Sequence, residues 1–111
     1  MYASERQVRS DALRLIRAWK RILRIRDWKG TLRFVDYYPV FQGHESLAIN
    51  DAIYSKKEYH IVVAKEAVTS HKRLAILVCH EMLHCVDGHT RTSHQLIYRL
   101  EDKLYRLAFY E

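Results

Sequence analysis

Five apolar residues in a row, Leu74-Ala75-Ile76-Leu77-Val78, run without a break into Cys79-His80-Glu81-Met82-Leu83-His84. Read as a helix over Lys72 to Val86, this stretch has no polar face until His80. A helix that is apolar all round belongs in the middle of a core, so the rest of the chain has to wrap it. No other feature limits the fold as strongly. It also makes His80, Glu81 and His84 the polar break in a buried helix, and buried polar groups need strong partners.

Their spacing indicates what that partner is. Residues four apart on a helix share a face, so His80 and His84 can close on one metal ion with Glu81 held beside it. H-E-x-x-H on a helix suits Zn2+, with the Glu taking a proton from a zinc-bound water, the arrangement of a hydrolase and most often of a peptidase. A catalytic zinc takes three protein ligands and a water. His89 is the first choice for the third, because the chain can turn off the helix at Gly88 and return the next side chain to the metal. His94 is second; Asp87 and the pair Glu101-Asp102 come behind. A purely structural zinc would close its fourth position with Cys or His, leaving Glu81 without a task.

The length of 111 residues fits one domain, residues 1–111, with a single core. With 49% apolar residues, three Gly and one Pro, the chain should be ordered. Leu74 to Cys79 is too short to span a bilayer, and Met1 to Arg6 has no apolar signal region. A cytoplasmic rather than secreted protein is therefore expected. Cys79 and Cys85 flank the motif and point in different directions, which reads as two buried thiols in a reducing compartment.

Around the central helix the pattern gives an α+β domain. Ser4 to Trp28 reads as an amphipathic helix with Val8, Ala12, Leu15, Trp19 and Ile22 as its stripe, capped by Ser4 and ended by Gly30-Thr31. Thr31 to Tyr37 reads as a strand. Pro39 and Gly43 mark a turn. Glu45 to Tyr54 reads as a second strand with Leu47, Ile49 and Ile53 on alternate positions, then Ser55 to Glu58 as a hairpin turn. Tyr59 to Ala64 is β-branched and compact, the clearest strand. Asp87-Gly88 should end the motif helix, and Gln95 to Tyr110 should form a last helix lined by Leu96, Leu100, Leu104 and Leu107. The expected sheet is small and mostly antiparallel.

The net charge of +6 belongs to the first segment. Residues 1–29 hold nine Lys or Arg against Glu5, Asp11 and Asp27, and the rest of the chain is balanced. Charged residues must occupy the outside of an amphipathic helix, but that does not explain their sign. Arg14, Arg17, Lys20, Arg21 and Arg24 are thus candidate nucleic-acid contacts; an acidic protein or anionic membrane surface fits the charge as well. Trp19, which might stack on a base, falls on the apolar stripe instead.

Ile76 to His84, followed by Asp87-Gly88-His89, resembles the SprT-like metallopeptidases, the group that includes Spartan. In that family a strand leads into a helix bearing H-E-[ML]-x-H, and a later Gly-His supplies the third ligand ahead of another helix. The resemblance implies a compact zincin-like domain in minimal form, one catalytic Zn2+ held by His80, His84 and His89, and Glu81 as general base. It implies a protein or peptide substrate, with DNA-associated proteins among the targets. Two departures stand out: the stretch from His84 to Gly88-His89 is very short, and Thr90 stands where a Gly commonly follows. The zinc-dependent YbeY-type endoribonucleases are a rival. Their H-G-x-L-H-L-x-G-x-D-H is partly echoed by Met82-Leu83-His84, Asp87 and His89, but they have Gly where this chain has Glu81. The non-enzyme alternative is a zinc-containing DNA- or protein-binding module.

Overall fold

Ser4 opens the first helix, α1 (Glu5–Ile22), its hydroxyl accepting the Gln7 N–H. The computed structural model describes Tyr2, residues 4–86 and the positions Arg99, Lys103 and Arg106. Val8, Ala12, Leu15, Ile16 and Trp19 are the buried stripe of α1. The helix does not reach Trp28 as the periodicity suggests. Arg24 takes φ 60°, the Ile25 N–H reaches back to the Lys20 carbonyl at 2.9 Å and the Arg24 N–H to that of Arg21 at 3.3 Å. That pair of bonds is a Schellman ending, made here without a glycine. Ile25 and Trp28 supply the reason. At 100° per residue both would fall on the basic side of a continued helix. The reversal turns them into the core, where they are buried.

Gly30 does not end the helix but lies in β1 (Lys29–Val35). A Cβ there would stand 1.7 Å from the Tyr59 carbonyl oxygen, so only glycine permits the approach. Next along the chain is a tight hairpin, β2 (Val40–Phe41) and β3 (His44–Glu45). Its two-residue turn has Gln42 at φ 52° and Gly43 at φ 80°, the positive pair that a type I′ turn requires. β4 (Ala48–Asn50) runs antiparallel to β5 (Glu58–Ala64), and Lys57 at φ 52° closes the connection between them.

The three-stranded sheet has the order β1-β5-β4. Its longer pairing, seven residues from Lys29↔Glu58 to Val35↔Ala64, is parallel, and the antiparallel one is three residues long. The sheet is therefore mixed, not mostly antiparallel. Residues 36–57 supply a crossover long enough for parallel pairing. Glu45 to Tyr54 is not one strand either: it divides into β3, β4 and a 3-10 turn at Tyr54–Lys56.

Ser70 caps α2 (His71–Leu83) by accepting the Arg73 N–H. Its Leu74, Ala75, Leu77, Val78, Cys79 and Met82 are buried, as an all-round apolar helix must be. α1 and α2 pack together against Leu32, Tyr59, Ile61 and Val63, the inward face of β1 and β5. His60 and Val62, on the opposite face, remain half-buried. The described residues thus form a compact α+β fold of two helices on a small mixed sheet. Arg99, Lys103 and Arg106 are helical and exposed; the expected leucine stripe of the last helix and its bounds lie outside the described residues. No helix among those described is long and apolar enough to cross a membrane.

Candidate active site

One face of α2 and the segment from Phe41 to Ile49 enclose a cleft of about 420 Å³. Arg73, Ile76, Leu77, His80, Glu81 and His84 line its helical wall, the i, i+3, i+4, i+7 spacing of one helix face. His80 is half-buried, while Glu81 and His84 are 4% and 1% exposed. The two imidazoles stand with ring centroids 5.0 Å apart and planes inclined at 71°. An ion held tetrahedrally, about 2.0–2.1 Å from one nitrogen of each ring, would place the centroids roughly 5 Å apart. The centroid separation is compatible with that spacing.

The three motif residues therefore meet at one cleft. Among the described residues no group of three His, Cys, Asp or Glu side chains placed to hold a metal is found. The expected third ligand His89, with His94, Asp87, Glu101 and Asp102, lies outside the described residues.

His84 is not inside the helix but caps it, at φ −66° and ψ −15°. Beyond Glu81 the bonding tightens. The N–H groups of His84, Cys85 and Val86 donate to the carbonyls of Glu81, Met82 and Leu83, each three residues back. Two side chains from the sheet side fasten this turn. Asn50, fully buried at the end of β4, donates to the Glu81 carbonyl at 2.7 Å and to the Cys85 sulfur at 3.4 Å, while its Oδ1 accepts the His60 N–H at 3.1 Å. The Tyr54 hydroxyl donates to the His84 carbonyl at 2.5 Å. Backbone atoms at both ends of the Glu81–His84 turn are thus tied to β4 and the turn after it. Cys79 and Cys85 are buried and not joined in a disulfide. Burial, reinforced by the Glu81 charge, pushes the Cys85 thiol up to about 11, so it is no nucleophile near neutral pH.

Asn50 and Tyr54 are absent from the residues that the sequence singles out. Leu47, Ile49 and Ile53 stand on alternate positions, but the buried residues of β4 are Ala48 and Asn50, and Leu47, Ala48 and Ile49 line the cleft. The available signal was a lone amide within an apolar segment, which, if buried, must be bonded.

The basic residues of α1 form a separate surface. Arg14, Arg17, Arg21 and Arg24 are exposed, as are Arg6 and Arg9. Lys20 is half-buried, its Nζ 5.8 Å from the centre of the Tyr59 ring. The acids of α1 lie at the margins and are engaged, Glu5 with Lys65 and Asp11 with Tyr2 and Gln7. Trp19 and Trp28 are both buried, so neither offers a free stacking face. Comparison of the chain with known protein families, with curated proteins and with solved structures finds no match.

Proposed function

We propose that this chain is a zinc-dependent metallopeptidase of the SprT-like kind, hydrolysing peptide bonds with Glu81 as general base. The observation that carries the reading is the cleft itself, with His80, Glu81 and His84 on one wall and an edge strand on the other. Zinc, when bound, supplies a water whose pKa falls from 15.7 to about 7 and polarises the substrate carbonyl. His80 and His84 would hold it, and the family pattern assigns the third position to His89. Glu81 accepts the proton of the attacking water as the C–O bond forms, then delivers it to the amine as the C–N bond breaks. Asn50 and Tyr54 fix the backbone from which Glu81 and His84 project. The β4 residues Ala48 and Asn50 alternate with those bonded to β5, so their backbone groups are directed to the edge that no strand among the described residues pairs. An extended peptide can add there as a further strand.

The test is a casein digestion with and without chelator. Glu81→Gln should retain zinc and lose hydrolysis, whereas His80→Ala should lose both. Full activity in a verified Glu81→Gln preparation overturns the assignment. Running an RNA substrate in parallel separates this reading from the YbeY-type endoribonuclease, and zinc binding with no turnover of either substrate favours the non-catalytic module.

The basic face of α1 supports a second element, contact with DNA or RNA, and with it action on DNA-associated proteins. Arg6, Arg14, Arg17, Arg21 and Arg24 form no ion pair among the described residues. The apolar face of α1 is spent on the core, which leaves little for a membrane surface. Affinity for duplex DNA should fall steeply with salt, and neutralising Arg14, Arg17 and Arg21 together should abolish it.

A further inference from the structure

The cleft is polarised along its length. Arg73 precedes His80 by seven residues on the same face of α2, which separates them by roughly 10.5 Å along the axis. Ile76 and Leu77 lie between them. The Arg73 side chain is exposed and has no ion pair or hydrogen bond among the described residues. Among the described residues, one other acid borders the cleft besides Glu81. This is Glu45, whose charge is felt by the Tyr38 hydroxyl. That hydroxyl donates to Glu66 at 3.1 Å, and neither Tyr38 nor Glu66 lines the cleft. A ligand lying along the cleft therefore meets His80, Glu81 and His84 at one end, apolar Ile76 and Leu77 in the middle, and at the other a guanidinium that has no ion pair among the described residues.

We propose that Arg73 is a specificity-determining residue that selects peptides carrying a carboxylate about three residues from the reacting bond. The distance sets the number: at about 3.3 Å per extended residue, three residues cover roughly 10 Å. A guanidinium takes a carboxylate through two parallel N–H···O bonds. The carboxylate is either an acidic side chain or the free end of the peptide. What happens at the His80 end rests on the peptidase reading; capture of the carboxylate is measured separately, as binding.

Three fluorescently labelled peptides of one apolar sequence serve as probes. The first has an amidated end and one Glu, scanned across positions; the second has Gln in its place; the third is the Gln peptide with a free terminal carboxylate. Their binding to the full chain carrying Glu81→Gln is read by anisotropy. The Glu peptide or the free-end peptide should bind about tenfold tighter than the neutral one, the size of one charge-assisted bond. Which of the two does so identifies the carboxylate. Adding Arg73→Gln should erase the preference, and Arg73→Glu should transfer it to a Lys peptide, a gain that misfolding cannot produce. Equal binding of all three peptides, no binding of any, or a preference that survives Arg73→Gln overturns the proposal. An acid preference without cleavage by the zinc-loaded wild type sinks the peptidase reading alone. Cleavage without the preference sinks only the role of Arg73.

Discussion

Replacing Asn50 tests how the site is held. The side chain is fully buried and bonded to the Glu81 carbonyl, the Cys85 sulfur and the His60 N–H. In Asn50→Ala the Glu81 carbonyl keeps the His84 N–H at 3.2 Å, so it is not orphaned. The His60 N–H loses its acceptor, at a cost of about 1–3 kcal/mol, and the lost amide bond adds about 1 kcal/mol. The sum is about 2–4 kcal/mol, read as a fall of roughly 1–2 M in the urea midpoint. Asn50→Asp keeps the acceptor for His60 but sets an oxygen against the Glu81 carbonyl. It should be no more stable than Asn50→Ala at neutral pH. Burial raises the pKa of such a carboxyl, so its stability should recover relative to wild type as pH falls and the protonated group regains a donor. Because the same turn carries His84, zinc affinity should drop about 10–100-fold in either variant, as for other supports of metal ligands. A loss below about 1 kcal/mol in Asn50→Ala, with unchanged zinc affinity, would refute the reasoning.

Other consequences are checked more simply. Gly30→Ala drives a methyl into the Tyr59 carbonyl and should cost at least about 3 kcal/mol, seen in thermal melting; a silent substitution would mean that β1 and β5 can separate freely. The Tyr2 hydroxyl donates to Asp11 at 2.5 Å; that bond holds the Asp11 carboxyl below its usual range, while burial, with the Asp11 bond adding to it, pushes Tyr2 up to about 12. The Asp11 contribution is present above the ordinary carboxylate pKa and lost as pH falls through its lowered value. The Tyr2 contribution is present below about pH 10 and lost as pH rises toward 12. Tyr2→Phe should therefore flatten both limbs of the stability profile and remove a late-titrating phenol from the alkaline absorbance curve. Finally, iodoacetamide should leave Cys85 unmodified in the native protein at pH 7 and react once urea unfolds it.

The parts of the fold that were legible in the sequence are those set by short-range pattern. The apolar run before His80 requires a central helix, and α2 is one. The stripe of α1 and the β-branched run of β5 have periods that only one kind of element satisfies. The parts that misled depend on contacts distant in sequence. Nothing near Arg24 marks a helix end, since the reversal there is stabilised by burying Ile25 and Trp28 in a core that local pattern does not display. Alternation of Leu47 and Ile49 does not reveal that Asn50 is buried, because its bonds reach residues more than thirty positions away. In the site, the motif named its own three residues, but not the amide and phenol that hold their backbone.

The fastening of α2 has a consequence for assembly. Asn50 reaches Glu81 across 31 positions and Tyr54 reaches His84 across 30. Loops of that length close only as the whole chain organises, so a helix formed alone would lack the tightened turn. On the zinc reading, metal affinity would then be a property of the native state and not of the pentapeptide. An ion bound to that state and not to the unfolded chain stabilises it by mass action. Zinc should raise the melting temperature in proportion to the logarithm of its free concentration, and a peptide spanning residues 71–86 should bind it far more weakly than the protein does.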